Sequence, residues 1–405
     1  MKVLYISYDG MTDPLAGSQI IPYLTRLVSP DIQIHILSFE KPAAFKQKGQ
    51  ELSIELKNAK IVWHPLRYTK HPVVLSTIYD LIKMHVAALF LHFQHRFKFI
   101  HCRSYLPALC ALNLKKLFGL PFLFDTRGLW ADERVEGGAW PQNKIIYRMI
   151  YRYFKSLELR LLKEANKILF QAKACLTDFH SRGIDLGDRG VVIPCCVDLN
   201  KFSQSTIEKE KLVALRNSLG ISSEDRVMLY LGSIGGRYLT DKVILLAKEI
   251  SSQHPSLKLM FVVNGGKEEV RVAAERLNFP VKKLVICSAL RKDVPLHIAL
   301  SDLSVMFVCE GYSNVAVSPV RVAEILAMGV PMLINSGIGD MDKILTSVNS
   351  DFIVDGMNSE SFAKVSKNFL NIVTTDKKLL RSLAEKEFDL NKGVAGYRSI
   401  YSRMS

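Results

Sequence analysis

The feature that most constrains this chain is an alternation of short apolar runs with longer amphipathic segments, and it occurs twice. In the first half the runs fall at 3–8, 32–39, 61–64, 97–102, 122–125, 168–170 and 191–193. Runs this short and this uniformly apolar read as strands buried on both faces. Stretches between them, such as 106–118 and 145–165, carry helical spacing instead. Alternation of this kind predicts a parallel sheet with helices on both faces. The pattern breaks at Pro194-Cys-Cys-Val-Asp and a polar stretch around Ser203–Glu210. It then restarts at 227–231, 257–263, 284–287, 303–308, 332–334 and 352–354. The predicted organisation is α/β: a doubly wound unit over 1–200, a second over 206–385, and a C-terminal helix over 386–405. Ligands of such sheets bind at the carboxyl ends of the strands. With two sheets facing each other, the cleft between them is the expected site.

Charge narrows the partners. With 54 basic and 39 acidic residues the chain carries +15, which favours a polyanion: nucleic acid, an anionic bilayer or a phosphorylated small molecule. The sequence has no finger, basic-zipper or RNA-recognition signature, so no nucleic-acid partner is expected. Seven cysteines stand without a CxxC pair, and no histidine spacing suits zinc. They predict buried, reduced thiols in a cytoplasmic protein, with no metal site among them and no cofactor motif elsewhere in the sequence. Met1-Lys2 leads straight into a strand, without the pattern of a signal peptide. The apolar stretch 73–93 is interrupted by Asp80, Lys83 and His85, short of the roughly 18–20 unbroken apolar residues of a spanning helix.

Four segments carry the chemistry. In Ser318-Pro-Val-Arg-Val-Ala-Glu324, Ser318 reads as an N-cap and Pro319 as the first helical residue, with Gly329-Val-Pro331 as the stop. Such a helix N-terminus suits a diphosphate. Arg321 in the first turn can meet the phosphate, and Glu324 can accept hydrogen bonds from sugar or ribose hydroxyls. The plainer alternative is a well-capped helix with an exposed Glu. At the other end of the chain, strand 3–8 runs into Asp9–Gln19, where Gly17-Ser18 at a strand-to-helix turn lets backbone amides approach a phosphate. Asp125 and Arg127 close the strand 122–125, two apart and so on one side. The carboxylate can steady an acceptor hydroxyl and the guanidinium a diphosphate; an internal salt bridge is the alternative. After the first strand of the second unit comes Gly232-Ser-Ile-Gly-Gly-Arg237, and Arg237 and Lys242 can both reach phosphate oxygens. Asp340-Met-Asp342 reads as a helix cap rather than a metal site, and His101 as a core histidine.

Taken in order, these segments resemble glycosyltransferase family 4, which has the GT-B architecture of two Rossmann-like domains facing across a cleft. The segment ending in Glu324 is similar to the family's donor motif, Glu, seven residues, Glu, with Glu324 at the second Glu, the ribose-binding one. Ala316 stands where the first Glu falls, as in a branch with Ser-Pro-x-Lys/Arg before a single Glu. The Asp13-Pro14-Leu-Ala-Gly17-Ser18-Gln19 loop resembles the same branch. Arg127 replaces a His usual in the family, and four residues separate Arg237 from the strand's Gly232. The resemblance implies hexosyl transfer from a nucleoside-diphosphate sugar to a hydroxyl of a glycan or lipid-linked acceptor in cell-surface polysaccharide or glycolipid synthesis, with retention and without an obligatory metal. Alternatives on the same fold are an epimerase or phosphorylase, and a non-catalytic subunit that binds glycan or lipid for a partner.

Between Lys144 and Lys167 seven basic residues (Lys144, Arg148, Arg152, Lys155, Arg160, Lys163, Lys167) interleave with Tyr147, Tyr151, Tyr153 and Phe154. A helix of this composition can lie at a headgroup boundary. Many members of the family act on lipid-linked acceptors, so a peripheral position on the inner face of a membrane is expected.

Overall fold

The computed structural model describes residues 1–404, the side chain of Val73 excepted. It divides into two units: Met1–Pro194 together with the helix Leu390–Met404, and Cys195–Asp389.

All thirteen predicted runs form strands. In the first unit they are β1 (Lys2–Ser7), β2 (Gln33–Glu40), β3 (Val62–Arg67), β4 (Phe99–Arg103), β5 (Phe122–Asp125), β6 (Lys167–Phe170) and β7 (Gly190–Val192). They make one sheet in the order β3-β2-β1-β4-β5-β6-β7, parallel at every pairing. Strands β4 to β6 are buried along their whole length because helices cover both faces, which is why they read as apolar runs rather than alternating ones. The C-terminal helix Leu390–Met404 packs on this unit through its aromatics. Tyr401 lies 4.8 Å from Phe99, and Gly396 lets the helix approach Ile193, whose Cδ1 would stand 2.8 Å from a Cβ there.

The second unit holds β8 (Arg226–Leu231), β9 (Leu257–Val262), β10 (Leu284–Cys287), β11 (Leu303–Met306), β12 (Met332–Asn335) and β13 (Ile353–Val354). Its order is β10-β9-β8-β11-β12-β13, again all parallel. In both sheets the order reverses beside the first strand, at β1/β4 and at β8/β11. There the loops diverge and open a crevice at the carboxyl ends.

The sequence reading of 73–93 is corrected. Val74–His95 is long and apolar enough to cross a membrane, with hydropathy 1.5, because its few charges do not offset so many Leu, Val, Ile and Phe. In the fold the helix Val73–His95 packs against the helix Tyr105–Phe118 and buries Met84, Ala88 and Leu91. Asp80, fully buried, accepts from Tyr8 Oη at 3.1 Å and from the Thr69 amide at 3.0 Å. All seven cysteines are free thiols.

Candidate functional sites of the two units

At the β8/β11 reversal the chain leaves β8 through Gly232, whose φ of +136° few side chains tolerate. A Cβ at this position would lie 2.5–2.6 Å from the guanidinium of Arg321, so that group rests flat on the glycine backbone. Arg321 comes from the helix Val320–Ala327 and also stacks on Tyr238 at 4.4 Å. Its Nη1 is buried without a hydrogen-bond partner. A charged donor held in this state is costly unless an anion completes it. Burial pushes the nearby Tyr230 hydroxyl up to about 12, and the opposing pull of Arg321 does not offset it. Tyr230 therefore stays a neutral donor, to the Ser233 carbonyl.

The other predicted residues take definite places. Arg237 donates to Asn314 Oδ1, and Asn314 Nδ2 donates to the Cys309 carbonyl at 2.8 Å, tying the β8 loop to the β11 loop. Lys242 turns elsewhere and donates to the Met357 carbonyl at 2.7 Å, so the predicted pair has separate partners. Ser318 is not the N-cap. Its hydroxyl accepts from the Cys195 amide at 3.1 Å, pinning the start of the unit, while Pro319 occupies the cap and the helix begins at Val320. The amides of Val320 and Arg321 precede the first internal bond of this helix, Val322 N to Pro319 O at 3.0 Å. Glu324 is not an exposed Glu: it is 2% exposed and ion-paired with Arg291, which stacks on Phe202 at 4.9 Å. A carboxylate has two oxygens, so Arg291 uses only part of its accepting capacity. Ala316 lies buried in the turn Tyr312–Ala316. Asp340 holds the N-cap position of the helix Met341–Thr346, as read, without a side-chain cap bond, and Asp342 accepts from the Gly337 amide at 2.9 Å.

In the first unit the carboxyl ends of β1, β4 and β5 gather Arg103, Asp125, Arg127 and Gln19. Asp125 is 1% exposed, with Arg103 Nη1 and Arg127 Nη1 each 3.8 Å and His101 Nε2 3.7 Å from its Oδ2. Burial pushes this carboxyl up, but Arg127, His101 and Arg103 more than offset it, so it sits below the usual carboxylate range. Its oxygens thus face cations of the same unit rather than solvent, the internal salt bridge of the two sequence alternatives. Arg127 has φ +54°, a left-handed conformation that a non-glycine residue keeps only when its surroundings over-determine it. They do. Gln19 accepts from both Arg127 and Arg103, and the Gln171 amide, turned to satisfy both groups, accepts from Arg127 at 2.8 and 3.1 Å. His101, as expected, is a core histidine, 2.8 Å from Tyr401 Oη, and burial holds it below its usual range.

Gly17 and Ser18 lie inside the short helix Pro14–Gln19 instead of at a turn, and a Cβ on Gly17 would meet nothing. The close approach is at Gly10, where a Cβ would stand 2.8 Å from Glu40 Oε2. Buried Glu40 holds the whole loop. It accepts from the Met11 amide at 2.7 Å, the Thr12 amide at 3.1 Å and Thr12 Oγ1 at 2.6 Å. Sequence reasoning missed Glu40, Gln19, Arg291 and Asn314, since each acts on a segment remote in sequence. Among the described residues the one group of three or more potential metal ligands is His35, His64 and His95, brought together by the fold from separate elements.

Two parallel units sharing the order 3-2-1-4-5-6, with a seventh strand added at the edge of the first, and each with its polar groups at the reversal point, define the GT-B class. Comparison with solved structures agrees. Anabaena Alr3699/HepE, crystallised with UDP and glucose, is 16% identical with TM-score 0.70 over 99% of each chain. WaaG, a glycosyltransferase involved in lipopolysaccharide biosynthesis, is 15% identical with TM-score 0.65 over 98% of this chain and 99% of its own. A putative UDP-N-acetylglucosamine 2-epimerase from Listeria monocytogenes shares the fold at 14% identity and TM-score 0.60, over 99% of this chain and 94% of its own. Fold alone therefore does not select the reaction. The family models do: Glycosyltransferase Family 4 matches residues 23–201 and Glycosyl transferases group 1 matches 214–386. The chain belongs to glycosyltransferase family 4. No curated protein sequence matches it.

Proposed function

We propose that this glycosyltransferase moves a hexosyl residue, with retention, from a nucleoside-diphosphate sugar to a hydroxyl of a glycan or lipid-linked acceptor, at the anionic inner face of a membrane. The observation that carries the donor half is Arg321, stacked on Gly232 and Tyr238 with a buried, unpartnered Nη1 at the β8/β11 reversal. It offers a fixed cation to the leaving diphosphate, with the Val320 and Arg321 amides beside it. Ser318 and Pro319 set the start of that helix, and Glu324 takes the ribose hydroxyls. Arg237 and Lys242 are proposed as secondary phosphate contacts, reached when their present partners, Asn314 and the Met357 carbonyl, release them. On the acceptor side Arg127, 12% exposed against 1% for Asp125, is the group nearer solvent and Asp125 its positioning residue; Gly17 and Ser18 border the same crevice. No metal or cofactor enters this scheme.

A thermal-shift panel of UDP, GDP, ADP, CMP and their sugar conjugates tests it. A matching nucleotide at 100 to 1,000 times its Kd should stabilise the fold by about 3–4 kcal/mol. Glu324→Ala should abolish that shift while leaving the ligand-free melting temperature within a few degrees, since Arg291 is 44% exposed and can turn to water. A shift retained in full would remove Glu324 from the site. Silence across the panel would favour the non-catalytic subunit, a reading supported by Ala316 at the place of the family's first Glu.

The membrane half rests on a surface of the first unit. The helix Val73–His95 exposes Leu75, Ile78, Tyr79, Ile82, Val86, Phe90 and Phe93, three or four apart and hence on one side. Phe118, at the end of the helix Tyr105–Phe118, packs on Phe93 at 5.5 Å and continues the patch with Leu117. The helix Ile145–Glu164 adds exposed Ile145, Ile146, Met149 and Tyr153 beside Lys144, Arg148 and Arg152. Apolar area of this extent needs a cover. The expected basic face is smaller than the sequence implied, because Lys155 is taken by Asp132 at 2.8 Å and Glu158 at 2.6 Å, and Lys167 lies in β6 against Asp188 at 3.0 Å. Arg148→Glu with Arg152→Glu should release the protein from vesicles containing phosphatidylserine, and Ile82→Ser with Phe90→Ser should do so in high salt as well. Flotation equal to the parent in both double variants would end the membrane proposal.

A further inference from the structure

We propose that His35, His64 and His95 bind one divalent transition-metal ion of the nickel–copper–zinc group, at a site separate from the donor and acceptor groups. The candidate ligand atoms of the three side chains lie within 4.8 Å of one another. They come from β2, β3 and the last turn of the helix Val73–His95. His35 Nδ1 and His64 Nε2 are 3.1 Å apart. Two nitrogens each about 2.0–2.1 Å from a tetrahedral ion stand ~3.3 Å apart, so this pair already has a bridging separation. The ring of half-buried His95 lies 4.3 Å from that of His35, and a modest turn brings its nitrogen to the same point.

The chemistry of the set is selective. Three imidazoles with no carboxylate or thiolate among them suit nickel, copper and zinc and offer nothing to calcium or magnesium. Phe97 walls the site, 5.1 Å from His35 and 5.8 Å from His95. A ligand imidazole must be neutral. Burial, helped by the neighbouring rings and Lys2, holds His35 down to about 4, and burial with His95 or Lys2 lowers His64 and His95 as well. The same Lys2 charge opposes an added cation, which leaves room only for ions that bond nitrogen strongly.

The position argues for a clamp. His35 lies near the amino end of β2, opposite Leu4, while Glu40 ends the same strand at the crevice. Five residues of strand separate the two by ~16 Å. An ion here ties the outer strands of the sheet to the end of the helix that carries the exposed apolar face.

The test uses the tag-free full chain, stripped with EDTA and then titrated with Zn²⁺, Ni²⁺ and Co²⁺. One ion should be retained per chain after dialysis, Co²⁺ should give the visible bands of nitrogen coordination, and the melting temperature should rise. His95→Gln and His64→Gln should each weaken Zn²⁺ binding by at least about tenfold. His85→Gln, on the same helix but bonded to Asn113, should not. His95 is the decisive variant because it is not in the sheet core and its loss leaves the fold standing. No retained ion in the parent chain would overturn the proposal, as would equal Zn²⁺ affinity of a folded His95→Gln protein. Nucleotide binding is read in parallel and should be unchanged in every variant, so failure here is distinct from failure of the donor site.

Discussion

Asp125→Asn should cost the first unit about 3–5 kcal/mol, the usual result of breaking a buried ion pair from one side. The variant keeps the shape and removes the charge that Arg103, Arg127 and His101 surround. Arg103 is only 3% exposed, so its guanidinium cannot simply rehydrate. The measurement is convenient because Trp63, Trp130 and Trp140, the three tryptophans of the chain, all lie in the first unit. Their fluorescence follows that unit's unfolding without interference from the second. The pH dependence fixes the mechanism. A carboxyl held below its ordinary value contributes stability that is present above the unfolded pKa of about 3.9 and disappears as pH falls through the folded one. The gap between parent and Asp125→Asn should therefore be full at pH 7 and shrink only below about pH 4. If the variant instead unfolds like the parent while turnover collapses, Asp125 touches the reactants, and the role as a positioning residue is wrong.

How far the sequence carried can be judged from particular residues. All thirteen strands were legible because parallel strands covered on both faces must be apolar throughout, and short apolar runs have few other uses. Arg321 and Glu324 were legible as a pair because a helix start is a local device. Ser318 misled for the same reason. The local pattern offered a cap, but the Cys195 amide, remote in sequence, took the hydroxyl. Asp125 and Arg127 do meet, but not by strand alternation: β5 ends at Asp125 and Arg127 turns back through a left-handed φ of +54°. What spacing cannot show is a second arginine arriving from β4 and a glutamine from the end of the helix Pro14–Gln19. Glu40 and Asn314 gave no signal at all, since each sits in an ordinary stretch and becomes essential only through the backbone that folds against it. The tri-histidine cluster is the extreme case, with one residue from each of three elements.

Arg321→Ala should lower kcat by about 10²–10³, or roughly 2.7–4 kcal/mol of transition-state stabilisation, the usual loss on removing one preorganised group from a developing charge. Stability should hold or rise, because the deletion also removes a buried nitrogen that has no partner in the ligand-free fold. Loss of turnover without loss of stability is what a group kept for the transition state predicts. Arg321→Lys restores the charge but neither the planar stack on Tyr238 nor the fit against Gly232, so it should recover only part of the rate. Gly232→Ala supplies the independent arm. A methyl group there would stand 2.5 Å from Nη2 of Arg321, so it must displace the guanidinium, and it should reproduce the kinetic defect with every charge still present. It should also destabilise, because alanine is strained at φ +136°. Equal turnover of Arg321→Ala and parent would show that the arginine does not face the leaving group. The donor diphosphate would then have to lie against Arg237 and Asn314 instead.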